Sequence, residues 1–354
     1  MPDHDTASSP SPGPGPSSVG IVQVPTFRLP PSNYMSSEAQ QALESRCFNP
    51  PELQQLLASA TNVQTLRAGV DTHLLVPMLH KAQRRYAVQI EQSVIGGVPV
   101  SIIRPTEGSS KKNRQRILIN LHGGFFTVGA GFGSLVESIP VAATLGITVV
   151  SIDYRLGPEH QFPAASEDVA AVYRELLAGH AATNIGIFGA SAGGMLTAMA
   201  LAWLQREQLP RPGAAALLSA GATASMAGDS AFLGPASMGD FMTPPTTPEQ
   251  IPIHLPMMPV PYLLGANTQD PMLAPVVSAD ILKKFPPLML ATGTRAFDMS
   301  AVVHTHRCLR RAGVETSLEL WDGMWHCFFY DVDLPESSEM YMILADFFDK
   351  NLQS

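Results

Sequence analysis

The sequence predicts an α/β fold: a mostly parallel central sheet of about eight strands, flanked by helices on both faces and carrying a helical cap. Two patterns carry that expectation. From residue 86 onward, short β-branched or leucine-rich runs alternate with helical stretches, which is how a sheet covered on both sides reads. Upstream of 86, and again over about 222–285, the alternation is absent. The second of these stretches is too long for a plain loop in a compact domain, so both read as cap.

Taken in order, residues 1–33 are rich in Pro, Ser and Gly. Such a stretch buries too little apolar surface to order itself and is expected to be a flexible tail. Residues 34–85 are expected to supply the N-terminal cap helices. Ser37 with Gln40 fits a capping box, and Pro51 at a first-turn position precedes Leu53, Leu56 and Leu57 on one face. A third helical pattern covers 74–85. Residues 86–354 then form the sheet-bearing domain, with the cap insertion at about 222–285. Its first two strands bracket an Ile-Gly-Gly-Val turn and read as a hairpin. RILINLHGG, ITVVSIDYRL, NIGIFGAS, AAALLSA, PLMLATG and SLELWDG follow as strand-like apolar runs, and 166–178 reads as a helix with Ser166 as N-cap and Gly179 just past its end.

Composition narrows the function classes. The 354 residues are 45% hydrophobic and 15% charged, with formal net charge −8. That balance disfavours nucleic acid or an anionic membrane as the main partner. No run of about 18 apolar residues predicts a membrane span. Cys47, Cys308 and Cys327 form neither a closed disulfide set nor a C-x-x-C metal pair, so no metal is expected and a reducing compartment fits. With no secretory pattern at the N-terminus, a cytoplasmic location is expected. The sequence allows a homodimer.

The sharpest chemical signal is Gly189-Ala190-Ser191-Ala192-Gly193, which follows an apolar strand run and opens a helical one. That strand–turn–helix context lifts a serine hydroxyl above the sheet and points the next N–H, that of Ala192, towards a substrate oxygen. Small residues on either side allow the tight turn. A second signal, His122-Gly123-Gly124-Phe125-Phe126, follows RILINL. Backbone N–H groups of such a loop, from Gly123, Gly124 and Phe125, can hold a developing oxyanion. His122 reads as a brace of that loop.

Together with Tyr154-Arg155-Leu156-Gly157-Pro158-Glu159-His160 and Phe162-Pro163-Ala164-Ala165, these motifs resemble the hormone-sensitive-lipase family of carboxylesterases, which has the α/β-hydrolase fold. The likeness runs from about residue 85 to the C-terminus and implies a serine esterase that needs no cofactor. Two departures stand out: Phe125 occupies the place of the family's third glycine, and Ala190 that of its usual elbow aspartate.

An activated serine needs a base and an acid that orients the base, and in this fold the chain order is Ser, Asp or Glu, then His. His326, in Gly323-Met324-Trp325-His326 after SLELW, is the expected base. The acid position of the family corresponds to Ala296 in Gly293-Thr294-Arg295-Ala296-Phe297-Asp298. Asp298, the one acid between that strand and the next helix, is therefore the expected partner. A Ser–His dyad, or Asp322 in its place, remains open. A pocket for a small-molecule ester is expected from Phe126, Met238, Phe241 and Met242, with Met257 and Met258 nearby in a methionine-rich segment suited to apolar groups. The implied reaction is hydrolysis of short- to medium-chain esters through an acyl-enzyme. The rival readings are a non-catalytic binding protein on the same fold and a hydrolase of amides, lactones or natural-product esters.

Overall fold

The hairpin that opens the sheet is built as its glycines dictate. Strands β1 (Val88–Ile95) and β2 (Val98–Pro105) pair antiparallel. They are joined by Gly96 and Gly97 at φ +58° and +80°, the two left-handed residues that a two-residue turn matching the strand twist requires. The computed structural model describes residues 28–45, 51–238 and 260–353. Those from Pro31 on form one unit.

The remaining strands are β3 (Ile117–Leu121), β4 (Thr148–Ile152), β5 (Ile185–Ala190), β6 (Ala214–Leu218), β7 (Leu288–Gly293) and β8 (Thr316–Trp321). They complete an eight-stranded sheet of order β1-β2-β4-β3-β5-β6-β7-β8, parallel from β4 through β8, as the sequence predicts. Fully buried strands such as ILINL and IGIFGA carry apolar side chains on both faces. Leu118, Val149, Phe188 and Met289 meet one layer of helices, whereas Ile119, Val150 and Ile187 meet the other. Each such side chain contributes roughly 1.5–3 kcal/mol on leaving water.

The helices are α1 (Ser37–Ser45), α2 (Pro51–Ser59), α3 (Val63–Val70), α4 (Val76–Arg85), α5 (Phe132–Leu145), α6 (Ala164–Leu176), α7 (Ala192–Arg206), α8 (Asp229–Met238), α9 (Ala279–Leu282), α10 (Met299–Arg311) and α11 (Pro335–Asn351). None among the described residues is long and apolar enough to cross a membrane.

Three local expectations are corrected. The helix expected over 74–85 starts earlier: α3, a π-helical turn (Asp71–Leu75) and α4 run on from Val63, with Asn62 accepting the Thr65 N–H at 2.8 Å as the cap. The cap of α1 is Ser36, whose hydroxyl accepts the Ala39 N–H at 3.0 Å; Ser37 instead donates to Glu38. And α6 begins two residues before Ser166, after Pro163, so the Ser166 hydroxyl sits buried inside the helix with no hydrogen-bond partner.

Leu53, Val70 and Leu75 form a small buried cluster with Leu56, Leu66, Leu74 and Val128. The N-terminal helices thereby rest on the loop after β3. The side chain of Leu57 lies outside the described residues.

Strand order positions the site. From β3 the chain moves to β4 on one side, then crosses back to β5 on the other. The loops leaving β3 and β5 therefore diverge and leave a crevice at their carboxyl ends, where ligands settle in open α/β sheets.

Candidate active site

Ser191 stands on the turn between β5 and α7 with φ +54° and ψ −122°, a left-handed conformation unusual for a residue with a side chain. The glycines around it explain how the turn closes. A Cβ on Gly193 would lie 1.8 Å from the Leu121 carbonyl oxygen, and one on Gly189 would lie 2.4 Å from the Gly193 carbonyl oxygen. No side chain fits at either position.

The structure brings Ser191, His326 and Asp298 into one hydrogen-bonded chain. Ser191 Oγ lies 3.0 Å from His326 Nε2. His326 Nδ1 lies 2.6 Å from Asp298 Oδ1. Asp298 is fully buried, and its other oxygen accepts from the Thr292 hydroxyl at 2.5 Å. Thr292 lies near the end of strand β7, so the Asp298 carboxylate is aimed by the strand that precedes it. Asp322 is exposed and accepts from Thr294 at 3.1 Å; it is not the partner of His326. Ala296 is buried beside them.

His326 is held from two further sides. The next N–H, of Cys327, donates to the Ser219 hydroxyl at 3.0 Å at the end of β6. The Phe297 ring packs on the imidazole with centroids 4.3 Å apart. Burial opposes a charge on His326, but Cys327 and the Asp298 carboxylate outweigh it and raise the imidazole pKa above its ordinary value.

The loop after β3 is wound tightly. Gly124, Phe125 and Phe126 all have positive φ, +116°, +53° and +56°. A Cβ on Gly124 would meet the Val128 carbonyl oxygen at 2.1 Å. His122 is buried, with Nδ1 2.7 Å from the Gly123 carbonyl oxygen and its ring stacked on Tyr154 at 4.4 Å. Tyr154 in turn donates to the His122 carbonyl oxygen at 2.6 Å.

Of the expected oxyanion donors, Gly123 is spoken for: its N–H donates to the Glu137 carboxylate at 2.7 Å. No backbone carbonyl among the described residues accepts from the N–H of Gly124 or Phe125. Ala192 is the first residue of α7, where an N–H has no partner within its helix. These three N–H groups have no backbone partner among the described residues.

Phe126, expected in the pocket, is corrected to a scaffold position. Its ring is 1% exposed and stacks on Tyr262 at 4.8 Å, so its surface is spent inside the core. Met238 closes α8, and its side chain is outside the described residues, as are Phe241, Met242, Met257 and Met258. What can be placed is the base of that segment. Ser230 of α8 donates to the Phe297 carbonyl oxygen at 2.8 Å and accepts the Ser300 N–H at 2.8 Å, seating α8 against the turn that carries Asp298.

Arg67 of α3 reaches the loops from above. It donates to Thr127 and Gly157 carbonyl oxygens at 2.8 and 3.0 Å and pairs with Glu159 through two bonds of 2.8 Å. That pairing holds the Glu159 carboxyl at about 2. Among the described residues no group of three His, Cys, Asp or Glu side chains comes together as a metal site.

Sequence reasoning missed Thr292, Phe297 and above all Glu137. Glu137 left a signal, since it is the single charged residue of the mostly apolar helix FGSLVESIPVAATL. It accepts from Gly123 N, Asn120 Nδ2 at 2.9 Å and the Tyr330 hydroxyl at 2.5 Å. Burial outweighs those bonds and pushes its pKa up to about 7.

Comparison with known proteins bears on the fold and the class of enzyme. Residues 118–330 match the sequence model of a family described as having the alpha/beta hydrolase fold. An acetyl-hydrolase of Streptomyces hygroscopicus is 29% identical over 75% of this chain and 88% of its own length. An esterase of Acinetobacter venetianus is 24% identical over 82% of this chain and 93% of its own. Among solved structures, an esterase named E25 superposes with a TM-score of 0.78 at 27% identity, covering 94% of this chain and 99% of that one. An esterase from the bacterial hormone-sensitive lipase family superposes at 0.68 and 27%, covering 85% and 98%. The chain belongs to the α/β-hydrolase fold family, in its hormone-sensitive-lipase branch.

Proposed function

We propose that this carboxylic ester hydrolase acts as a serine esterase on short- to medium-chain esters, with Ser191 as nucleophile, His326 as base and Asp298 as the orienting acid. The observation that carries the reading is the chain of two hydrogen bonds, 3.0 and 2.6 Å, from Ser191 through His326 to Asp298. His326 takes the Ser191 proton as the hydroxyl attacks the ester carbonyl. The N–H groups of Gly124, Phe125 and Ala192 hold the oxyanion. His326 returns the proton to the departing alcohol, and a water, activated in the same way, releases the acid from Ser191.

The test is hydrolysis of p-nitrophenyl esters of two- to twelve-carbon acids. The expected result is turnover highest at short to medium chains and falling steeply beyond them. Folded protein that hydrolyses no ester but turns over an amide or a lactone would replace this substrate class, since those reactions share the tetrahedral intermediate.

Because Phe125 acts through its backbone N–H, Phe125→Gly is expected to keep kcat within about threefold. Glycine adopts φ +53° freely, whereas a bulky residue there carries strain on the order of 1–3 kcal/mol. A kcat loss of a hundred-fold in Phe125→Gly would instead assign the ring a direct role.

A further inference from the structure

The groups around the Glu137 carboxylate come from three segments that carry parts of the site. Gly123 and Asn120 stand at the loop and strand end of β3, and Tyr330 follows the base loop by four residues. The backbone of Ala190, next to the nucleophile, also acts on the carboxylate and lowers its pKa. These groups are packed to contact: a Cβ on Gly123 would lie 2.7 Å from the Tyr330 oxygen and 3.3 Å from Ser191 Cβ. Asn120 is fixed in turn, its carbonyl accepting from Ser151 of β4 at 2.6 Å.

We propose that Glu137 is a positioning residue for catalysis: one carboxylate ties the oxyanion loop, the nucleophile's strand and the base's loop to a common point beneath the site. It never touches substrate. It sets the separation between Ser191 Oγ and the N–H groups of Gly124 and Phe125, which follow directly on the N–H it holds. A carboxylate is suited to this because all its partners are donors, and two oxygens can accept from four of them. A buried charge is a costly way merely to fill space in an apolar helix, so a filler role would be served better by leucine or methionine.

The inference rests on the esterase reading above, and the test separates the two. Glu137→Gln keeps one accepting oxygen but turns an amide NH2 towards the remaining donors, either Asn120 or Gly123 and Tyr330. Tyr330→Phe removes one donor alone. For a loop displaced by a fraction of an ångström, kcat in Glu137→Gln is expected to fall about ten- to a hundred-fold, with KM within about twofold. Tyr330→Phe is expected to lose less, and the double variant less than the product of the two, because both act through one network. The rate at which a fluorophosphonate labels Ser191 should fall in step, while far-UV circular dichroism shows the variants folded at the assay temperature.

Glu137→Gln with kcat and labelling rate both within twofold of the parent would overturn the positioning role and leave the esterase reading intact. So would a loss that tracks the unfolded fraction, or one confined to KM. If the parent hydrolyses no ester but is labelled, the labelling rates alone decide. A parent inert to both overturns the esterase reading and this inference with it.

Discussion

Replacing Ser191 with alanine is expected to lower kcat for the preferred ester by about a million-fold, the scale seen when a triad nucleophile is removed. The bond that forms in the first step is to Ser191 Oγ, and the described geometry offers no second nucleophile in its place. Cys327 is adjacent in sequence to His326, but it is buried and its backbone N–H is held by the Ser219 hydroxyl. KM should change little, because alanine removes one buried oxygen. A residual rate well above that in water would fit the oxyanion donors acting alone on a bound ester. Fold should be retained, since Ser191 is seated by its backbone, whose N–H donates to the Leu218 carbonyl oxygen at 2.9 Å.

Asp298→Asn is expected to cost about ten-thousand-fold in kcat. The asparagine amide fits the same space but can turn an NH2 towards His326 Nδ1, holding the ring in the tautomer that leaves no acceptor for the Ser191 proton. Asp322→Asn, on an exposed carboxylate bonded to Thr294, should stay within about twofold and serves as the matched control. The pH profile carries a second signature. His326 works as a base only when neutral, so kcat/KM rises with pH through its pKa. Burial would lower that pKa from 6.5, but Cys327 and Asp298 raise it. The rising limb therefore lies on the alkaline side of the ordinary histidine value in the parent. Without the carboxylate burial weighs more heavily on the ring, so the limb moves to lower pH in Asp298→Asn even as its plateau collapses. A limb that stayed in place would show that the carboxylate does not set the charge of the ring.

The parts of the site legible in the sequence were those fixed by local chain geometry. Ser191 and the glycines beside it must fall where a strand turns into a helix, and His326 must follow the last strand. Asp298 could be read because it was the one acid in its interval, although the family position is Ala296. The structure gives the reason two residues of shift can be absorbed: Asp298 opens α10 and is aimed by Thr292 at the end of β7.

What stayed hidden depends on contacts distant in sequence. Phe126 reads as a pocket wall until Tyr262, far along the chain, is seen stacked on it. Gly123 reads as an oxyanion donor until Glu137 takes its N–H. Ser166 reads as a helix cap because serine favours that position, but here α6 has already started before it. The continuous helix from Val63 was missed because its polar positions and π-helical turn break the 3.6-residue period.

The most direct measurement is intact-mass spectrometry of protein quenched in acid during turnover of p-nitrophenyl butyrate. A single butyryl adduct that maps to Ser191 and is absent from Ser191→Ala is the expected result. Steady turnover with no adduct, undiminished in Ser191→Ala, would contradict the acyl-enzyme mechanism and the roles given to all three residues.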